Sequence, residues 1–253
     1  MSSVSKRLLW INGGIFLVFL LLRSWEPAQA VYYEWLALNP LAWVELFPFV
    51  PVWQLATYGF LHSLNEPYHL LFNLLGLYFF GSMLEQIVGG RRFLTFYLAA
   101  IALGGVTQLA AALITSSSVP TLGASGGVLA SIVACAVLRP ATQVIFILFP
   151  MSLRTLALIL VGLDLFGLAS GAMGTAYLVH LSGAALGFAA ARLGWIWVDP
   201  GRAWAARREH SARRREATDS ERLDRILQQI HREGMSSLSR GDREFLRKVS
   251  SRH

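Results

Sequence analysis

The sequence contains few charged residues and a single cysteine. Asp, Glu, Lys and Arg make up 15% of its 253 residues, while 55% are hydrophobic. A typical soluble domain has about 25% charged residues, so this composition argues against an ordinary soluble enzyme and excludes a disordered chain. Because Cys135 has no second cysteine to pair with, a disulfide scaffold and a cysteine-rich metal site are excluded. We expect no metal and no cofactor.

The few charges are distributed unevenly along the chain. The formal net charge is +7. Residues 1–200 hold eight basic and seven acidic side chains, whereas residues 201–253 hold fourteen and eight. The basic character therefore belongs to the C-terminal tail, and the preceding part is a nearly neutral apolar block.

Six segments of this block are apolar enough to suggest membrane-crossing helices. A crossing helix needs about 20 mostly apolar residues, with a range of about 17–25. A seventh apolar stretch, Val144–Pro150, is too short and is interpreted as an interfacial segment. The predicted spans are Leu8–Leu22, Tyr68–Val88, Phe93–Leu113, Thr121–Leu138, Leu153–Ser170 and Thr175–Leu193.

The basic residues between the spans predict the orientation. Cytoplasmic loops of membrane proteins are enriched in Lys and Arg. With both termini in the cytoplasm, only Arg23 lies outside. A competing interpretation takes the start of the chain as a signal peptide, because Ala28-Gln29-Ala30 follows the first apolar run. The basic residues placed inside are Lys6, Arg7, Arg91, Arg92, Arg139, Arg154, Arg192 and those of the tail.

Polar residues inside these spans are costly, so each is a candidate functional residue. Four of them, from three spans, fall in one layer within about 9 Å of the outer ends. His69 and Asn73 are spaced i, i+4 and share a helix face, where two hydrogen-bond donors suit an oxyanion. Helix–helix hydrogen bonding is the alternative role for this pair. Ser125 and His180 complete the layer.

Glycines surround both the serine and the second histidine. Ser125 lies within Gly123-Ala-Ser-Gly-Gly127, and small residues continue along the fourth span, which predicts close helix packing at the centre of a bundle. His180 shares a helix face with Gly183 and Gly187. Packing alone would account for the glycines, but a histidine that reaches Ser125 could act as the base that activates a nucleophile.

These motifs together resemble the rhomboid family of intramembrane serine proteases. The resemblance covers about residues 8–195. It rests on Trp53 with Phe60-Leu61-His62, on His69-x-x-x-Asn73, on Glu85 followed by Gly89, on Gly123-Ala124-Ser125-Gly126, and on His180-x-x-Gly183-x-x-x-Gly187.

The resemblance implies an all-α membrane protein, a six-transmembrane-helix rhomboid bundle that cleaves other membrane proteins near the outer face. Ser125 would be the nucleophile and His180 the general base of a dyad. The Ser125 amide, His69 and Asn73 would form the oxyanion hole, with Gly123 shaping the adjacent loop. The segment from about Arg23 to Pro67 would be a long first loop, partly in the outer leaflet.

Four positions need separate interpretation. Many relatives carry Arg where this chain has Gln54, and we expect the change to weaken contact with lipid. Some relatives place an aromatic residue at the position of Leu129, against the histidine. Asp164 could orient His180 in a triad, but the resemblance favours a structural role for it. Glu85 is expected to be a structural anchor near the inner end.

Two other functions remain open. A non-proteolytic rhomboid-like protein would bind membrane helices without cleaving them, although such proteins usually lack the serine or the histidine. A small transporter would use His69, Asp164 and His180 as a proton relay. That function needs a polar path to the cytoplasmic side, where the spans offer only Glu85 and Gln108.

The chain is therefore divided into four regions. Residues 1–7 form a cytoplasmic N-terminus, 8–195 the protease domain, 196–218 a basic linker, and 219–253 a cytoplasmic helical hairpin. In the hairpin, Gly234 is expected to end one helix and Ser239 to cap the next. The appendage resembles one found on some bacterial rhomboids. The expected location of the protein is a bacterial inner membrane. We expect the linker to favour anionic lipid, and no motif indicates nucleic-acid binding. Its arginines are Arg202, Arg207, Arg208, Arg213, Arg214 and Arg215.

Overall fold

A computed structural model describes most of the chain, in two compact units, Met1–Val198 and Asp199–His253. The described residues are 3–146, 149–171, 176–199, 209, 220–221, 223–232, 234 and 238–250. The predicted linker 196–218 lies mostly outside them, as do the six arginines assigned to lipid contact. The units are described separately below.

Helices dominate the first unit and occupy all six predicted apolar segments. A π-helical stretch, Leu77–Gly81, joins α5 to α6 without a break in the chain direction. The helices are α1 (Ser3–Leu21), α2 (Glu26–Ala30), α3 (Pro40–Glu45), α4 (Gln54–Thr57), α5 (Pro67–Gly76), α6 (Ser82–Val88), α7 (Gly90–Thr115), α8 (Ser125–Leu138), α9 (Leu153–Ala169) and α10 (Tyr177–Arg192).

Three of these helical segments are long and apolar enough to cross a membrane. They are Val4–Leu21, Pro67–Val88 and Gly90–Thr115. The other three predicted spans correspond to helices of 14, 17 and 16 residues. At 1.5 Å per residue, these are shorter than the roughly 30 Å hydrocarbon core of a bilayer. These three helices support a membrane protein, whereas the count of six spans stays a prediction.

One local expectation differs from the structure, and one segment has a form that the sequence did not predict. The fourth span was expected from Thr121, but α8 begins at Ser125 because the preceding residues are extended. Thr121 exchanges two backbone hydrogen bonds with Leu38, at 3.0 and 2.9 Å. The segment interpreted as interfacial overlaps two paired antiparallel strands, β1 (Gln143–Phe146) and β2 (Phe149–Ser152). Burial alternates along β1 but not along β2, and a short apolar run does not by itself indicate strands.

Gln54 organises the long first loop from inside. Its side chain is fully buried. Its Oε1 accepts hydrogen bonds from the Asn39 amide (3.0 Å) and the Trp43 indole (3.1 Å), and its Nε2 donates to the Glu34 carbonyl (2.8 Å). The expectation that Gln54 in place of Arg weakens contact with lipid stays a prediction. A buried amide bonded on several sides holds the loop together.

The centre of the first unit is α8, as the small-residue pattern predicts. Every residue from Gly126 to Ala136 is buried. Along α10, a Cβ added at Gly183 would overlap the carbonyl oxygen of Gly126, and one added at Gly187 would overlap that of Ala130. The backbones of α8 and α10 thus touch directly, which only glycine permits at these positions.

Glu85 anchors the amino end of α1, in agreement with the structural role expected of it. Its buried carboxylate accepts hydrogen bonds from the amides of Val4 (3.1 Å) and Ser5 (2.8 Å) and from the Ser5 hydroxyl (2.7 Å). The first amides of a helix have no partner within the helix, and a negative charge there also favours the helix dipole. This one side chain therefore ties α6 to α1.

The second unit contains two described helices, α11 (residues 223–232) and α12 (Arg240–Ser250). Gly234 has φ of 78° and its amide bonds the Ile230 carbonyl at 2.9 Å, which is how a glycine ends a helix. The Ser239 hydroxyl accepts from the Asp242 amide at 3.2 Å and so caps α12. Both capping expectations are confirmed.

The contact between α8 and α10 predicts a large loss of stability on adding one methyl group. Gly183→Ala must push two backbones apart, and overpacking of this kind costs about 1–3 kcal/mol. We expect a lower midpoint of SDS-induced unfolding in mixed micelles. Gly162→Ala is the matched control, because a Cβ there meets nothing within 4 Å. Equal midpoints for the two variants would contradict this account of the seam.

The role of Glu85 predicts a second loss. Glu85→Ala leaves two backbone amides and a hydroxyl without their charged acceptor, and one such bond contributes about 1.5–3 kcal/mol. We expect the free energy of unfolding to fall by at least about 2 kcal/mol. The exposed Glu45→Ala serves as control and should unfold like the unchanged protein. A similar small effect for both would show that Glu85 is not an anchor.

Candidate functional site

Ser125 and His180 lie in direct contact at the seam between α8 and α10. The distance from His180 Nε2 to Ser125 Oγ is 2.7 Å. Ser125 is the first residue of α8, so its hydroxyl lies at the helix end where backbone amides lack helical partners. His180 stands in the first turn of α10, one turn before Gly183. The predicted contact of a serine with a base is thus present.

Asp164, from α9, contacts the other side of the same imidazole. Its Oδ1 lies 2.9 Å from His180 Nδ1, and the side chains of His180 and Asp164 are 21% and 13% exposed. The sequence placed this aspartate in the fifth span but favoured a structural role. The histidine is instead held between a hydroxyl and a carboxylate, and three helices contribute one residue each.

The backbone beside Ser125 leaves a small space that His69 faces. Gly123 has φ of 130°, a conformation that L side chains rarely adopt. A Cβ placed on it would lie 2.8 Å from His69 Nε2 and 3.7 Å from Ser125 Oγ. The glycine therefore keeps open a position between the histidine and the serine.

Hydrogen bonding indicates which His69 nitrogen carries the proton. The Ser63 amide donates to His69 Nδ1 at 3.3 Å. That nitrogen must then offer a lone pair, so the neutral ring carries its proton on Nε2. His69 consequently presents an N–H donor toward the space beside Gly123.

Asn73 is placed less directly. It is buried one turn beyond His69, and its Nδ2 donates to the His69 carbonyl at 2.8 Å. The structure therefore brings Ser125, His180, His69 and Gly123 together, and it places Asn73 on the adjacent turn of α5. An i, i+4 spacing predicts a shared face but not where each amide hydrogen points.

Comparisons with known proteins identify the family of the chain. The family model of the Rhomboid domain matches residues 51–197, which is more than half of the chain. The chain belongs to the rhomboid family. It is also similar to RHOMBOID-like protein 12, mitochondrial, from Arabidopsis thaliana, at 30% identity over 149 residues. That alignment covers 53% of this chain and 43% of the relative, so the chain spans less than half of the relative's length.

Sequence reasoning missed two parts of the rhomboid site. The contact from the Ser63 amide to His69 is a backbone interaction, which no residue type signals. His62 was quoted only as part of a motif, yet it is fully buried and its ring lies 5.2 Å from that of His69. The hydroxyl of the buried Tyr32 donates to the His62 carbonyl at 2.6 Å and accepts from its amide at 2.8 Å. His62 is thus held firmly beneath His69.

Burial of His62 makes the loop under the site sensitive to acid. Burial, and secondly the neighbouring His69, lowers the pKa of the His62 imidazole from 6.5 to about 3. Below about pH 6.5 the His62 imidazole is protonated in the unfolded chain, whereas in the folded chain it stays neutral down to about pH 3. The free energy of unfolding therefore decreases as the pH is lowered through this window, by up to about 1.4 kcal/mol per pH unit.

We expect His62→Gln to reduce this dependence. The free energy of unfolding is measured by SDS titration at several pH values between about 7 and about 4. As the pH is lowered, it should decrease less steeply in the variant than in the unchanged protein. The readout is the slope, because the substitution also alters packing at every pH. Identical slopes would show that His62 takes up its proton without unfolding.

Proposed function

We propose that this protein is an intramembrane serine endopeptidase that cleaves transmembrane proteins near the outer face of the membrane. The observation that carries the proposal is the 2.7 Å contact between Ser125 Oγ and His180 Nε2. A serine hydroxyl is a weak nucleophile until an adjacent base accepts its proton. Membership of the rhomboid family supports the same activity.

In the proposed reaction, Ser125 Oγ attacks the scissile carbonyl carbon while its proton passes to His180 Nε2. The tetrahedral intermediate then collapses, the C–N bond breaks, and His180 returns the proton to the leaving amine. Water, activated by the same imidazole, releases the acyl group and regenerates the serine. Proton transfer by one positioned side chain contributes typically 10²–10⁴-fold to the rate.

The developing oxyanion would be stabilised in the space beside Gly123. The donors are the Ser125 amide at the start of α8 and the N–H of His69 Nε2, and the helix dipole favours negative charge there. The Asn73 side chain has two amide hydrogens and donates one of them to the His69 carbonyl. We assign the second to the substrate oxygen. Gly123 contributes room rather than a charge.

The membrane setting of the proposal follows the charge distribution. With both termini cytoplasmic, the site opens toward the outer face and the basic tail faces anionic lipid of the inner leaflet. All six apolar helices are assigned to the membrane, the three shorter ones within the bundle. A bacterial inner membrane is the proposed location.

Labelling with a fluorophosphonate tests the proposal most directly. This probe reacts with an activated serine, so the purified protein in detergent micelles or liposomes should be labelled. We expect Ser125→Ala and His180→Ala to abolish labelling and to abolish cleavage of model single-span substrates. Gly123→Ala should lower both strongly, because its Cβ would occupy the space proposed for the oxyanion.

Gly162→Ala and Ser182→Ala are the controls, since neither residue contacts Ser125 or His180 among the contacts described. Both should label like the unchanged protein. Labelling that persists in Ser125→Ala, or no labelling and no cleavage by the folded protein, would contradict the protease. The second result would favour a rhomboid-like protein that binds membrane helices without cutting them.

A further inference from the structure

We infer that Asp164 is a positioning residue for His180, so that the serine is activated by a histidine whose proton and ring orientation a carboxylate determines. The inference rests on the proposed function and names an additional residue for it. It departs from the dyad that the sequence favoured. Three observations carry it: the bond to Nδ1, the contacts that hold α9 against α10, and the burial of a carboxylate in an apolar region.

The first observation concerns the tautomer. Ser125 can donate its hydroxyl proton to His180 Nε2 only if that nitrogen has a lone pair, so the neutral ring must carry its proton on Nδ1. Asp164 Oδ1 lies 2.9 Å from Nδ1 and accepts that N–H. A carboxylate accepts but does not donate, so it selects the one tautomer that can receive the serine proton.

The second observation is that α9 and α10 are held in register beside this bond. Tyr177 lies one turn before His180 on α10, and Gly167 lies one turn after Asp164 on α9. A Cβ added at Gly167 would overlap the Tyr177 ring, so the ring packs directly on the glycine backbone. A second contact one turn away fixes the distance and angle at which the carboxylate meets the imidazole.

The third observation is the position of the charge itself. Asp164 is 13% exposed in a predicted membrane-spanning helix, where an unpaired carboxylate is costly. Its described partner is His180, and a further titratable group close enough to interact with this histidine is His69 from α5. When His180 takes the serine proton, the imidazolium forms next to a negative charge that stabilises it.

Leu129 removes one alternative means of orienting the ring. It is buried in the core one turn after Ser125 and offers no aromatic face to the histidine. Among the residues that the structure describes, the side chains hydrogen-bonded to His180 are Ser125 and Asp164. Orientation of the imidazole therefore falls to the carboxylate.

The test compares Asp164→Asn, Asp164→Glu and the control Ser182→Ala in the full-length protein in detergent micelles. Asparagine keeps the size of the side chain but lets its amide donate, which favours the wrong tautomer. We expect the rate constant for fluorophosphonate labelling of Ser125 to fall at least tenfold in Asp164→Asn and to recover partly in Asp164→Glu. Ser182 lies on the same helix as His180, and Ser182→Ala removes its hydrogen bond with Thr107 of α7. This variant should label normally.

A further readout separates positioning from a purely structural role. Nitrogen-15 NMR of histidine-labelled protein should show a protonated Nδ1 at His180 in the unchanged protein and a shift toward protonated Nε2 in Asp164→Asn. The His180 signals are identified by their loss in His180→Ala.

The outcomes are distinguishable from those of the proposed function. If the unchanged protein were not labelled, the protease would be contradicted, and the NMR comparison would still test whether Asp164 sets the tautomer. If Asp164→Asn left the labelling rate and the tautomer unchanged, the inference would be overturned. It would also be overturned if labelling and the SDS unfolding midpoint fell together while the tautomer stayed the same.

Discussion

The direct contact between the backbones of α8 and α10 is the constraint on which the candidate site depends. Gly183 and Gly187 leave no side chain between the two helices, and each meets a carbonyl oxygen of α8. Ser125 and His180 lie one turn or less from this contact, and their reacting atoms are 2.7 Å apart. In a membrane, where apolar burial does not drive helices together, such close packing is a main source of association.

Polar groups in this protein are used where an apolar region makes them most effective. A buried hydrogen bond is stronger in a low dielectric, and a buried polar group without a partner is correspondingly costly. Glu85 shows the structural use, since its carboxylate satisfies three groups at the start of α1. Gln54 does the same for the first loop. Asp164 differs from these two residues, because the partner of its carboxylate is the imidazole of His180 in the candidate site.

The chemistry-bearing residues were predictable to different degrees. Ser125, His180 and His69 could be found because polar residues are rare in apolar spans, and glycines flank the first two. Their meeting was also predictable, since spans of predicted direction place these residues at similar depths. Asp164 was recognised as unusual, but depth alone does not tell which way a side chain turns around its helix. The Ser63 amide and the burial of His62 depend on how the first loop folds, and loop paths follow from long-range contacts rather than from local pattern.

The sequence by itself determined the class of the protein and the approximate positions of its apolar helices. It also singled out Ser125 and His180 as the candidate reactive pair. Composition and periodicity are local properties, and the absence of water in a membrane restricts the chain to helices in these segments. Only the tertiary structure decided that α8 begins at Ser125, that Gln54 is buried, and that a carboxylate meets His180. Each of these depends on contacts between residues distant in the chain, such as Leu38 with Thr121 and Tyr177 with Gly167. No local pattern encodes such contacts, because they exist only once the helices have packed.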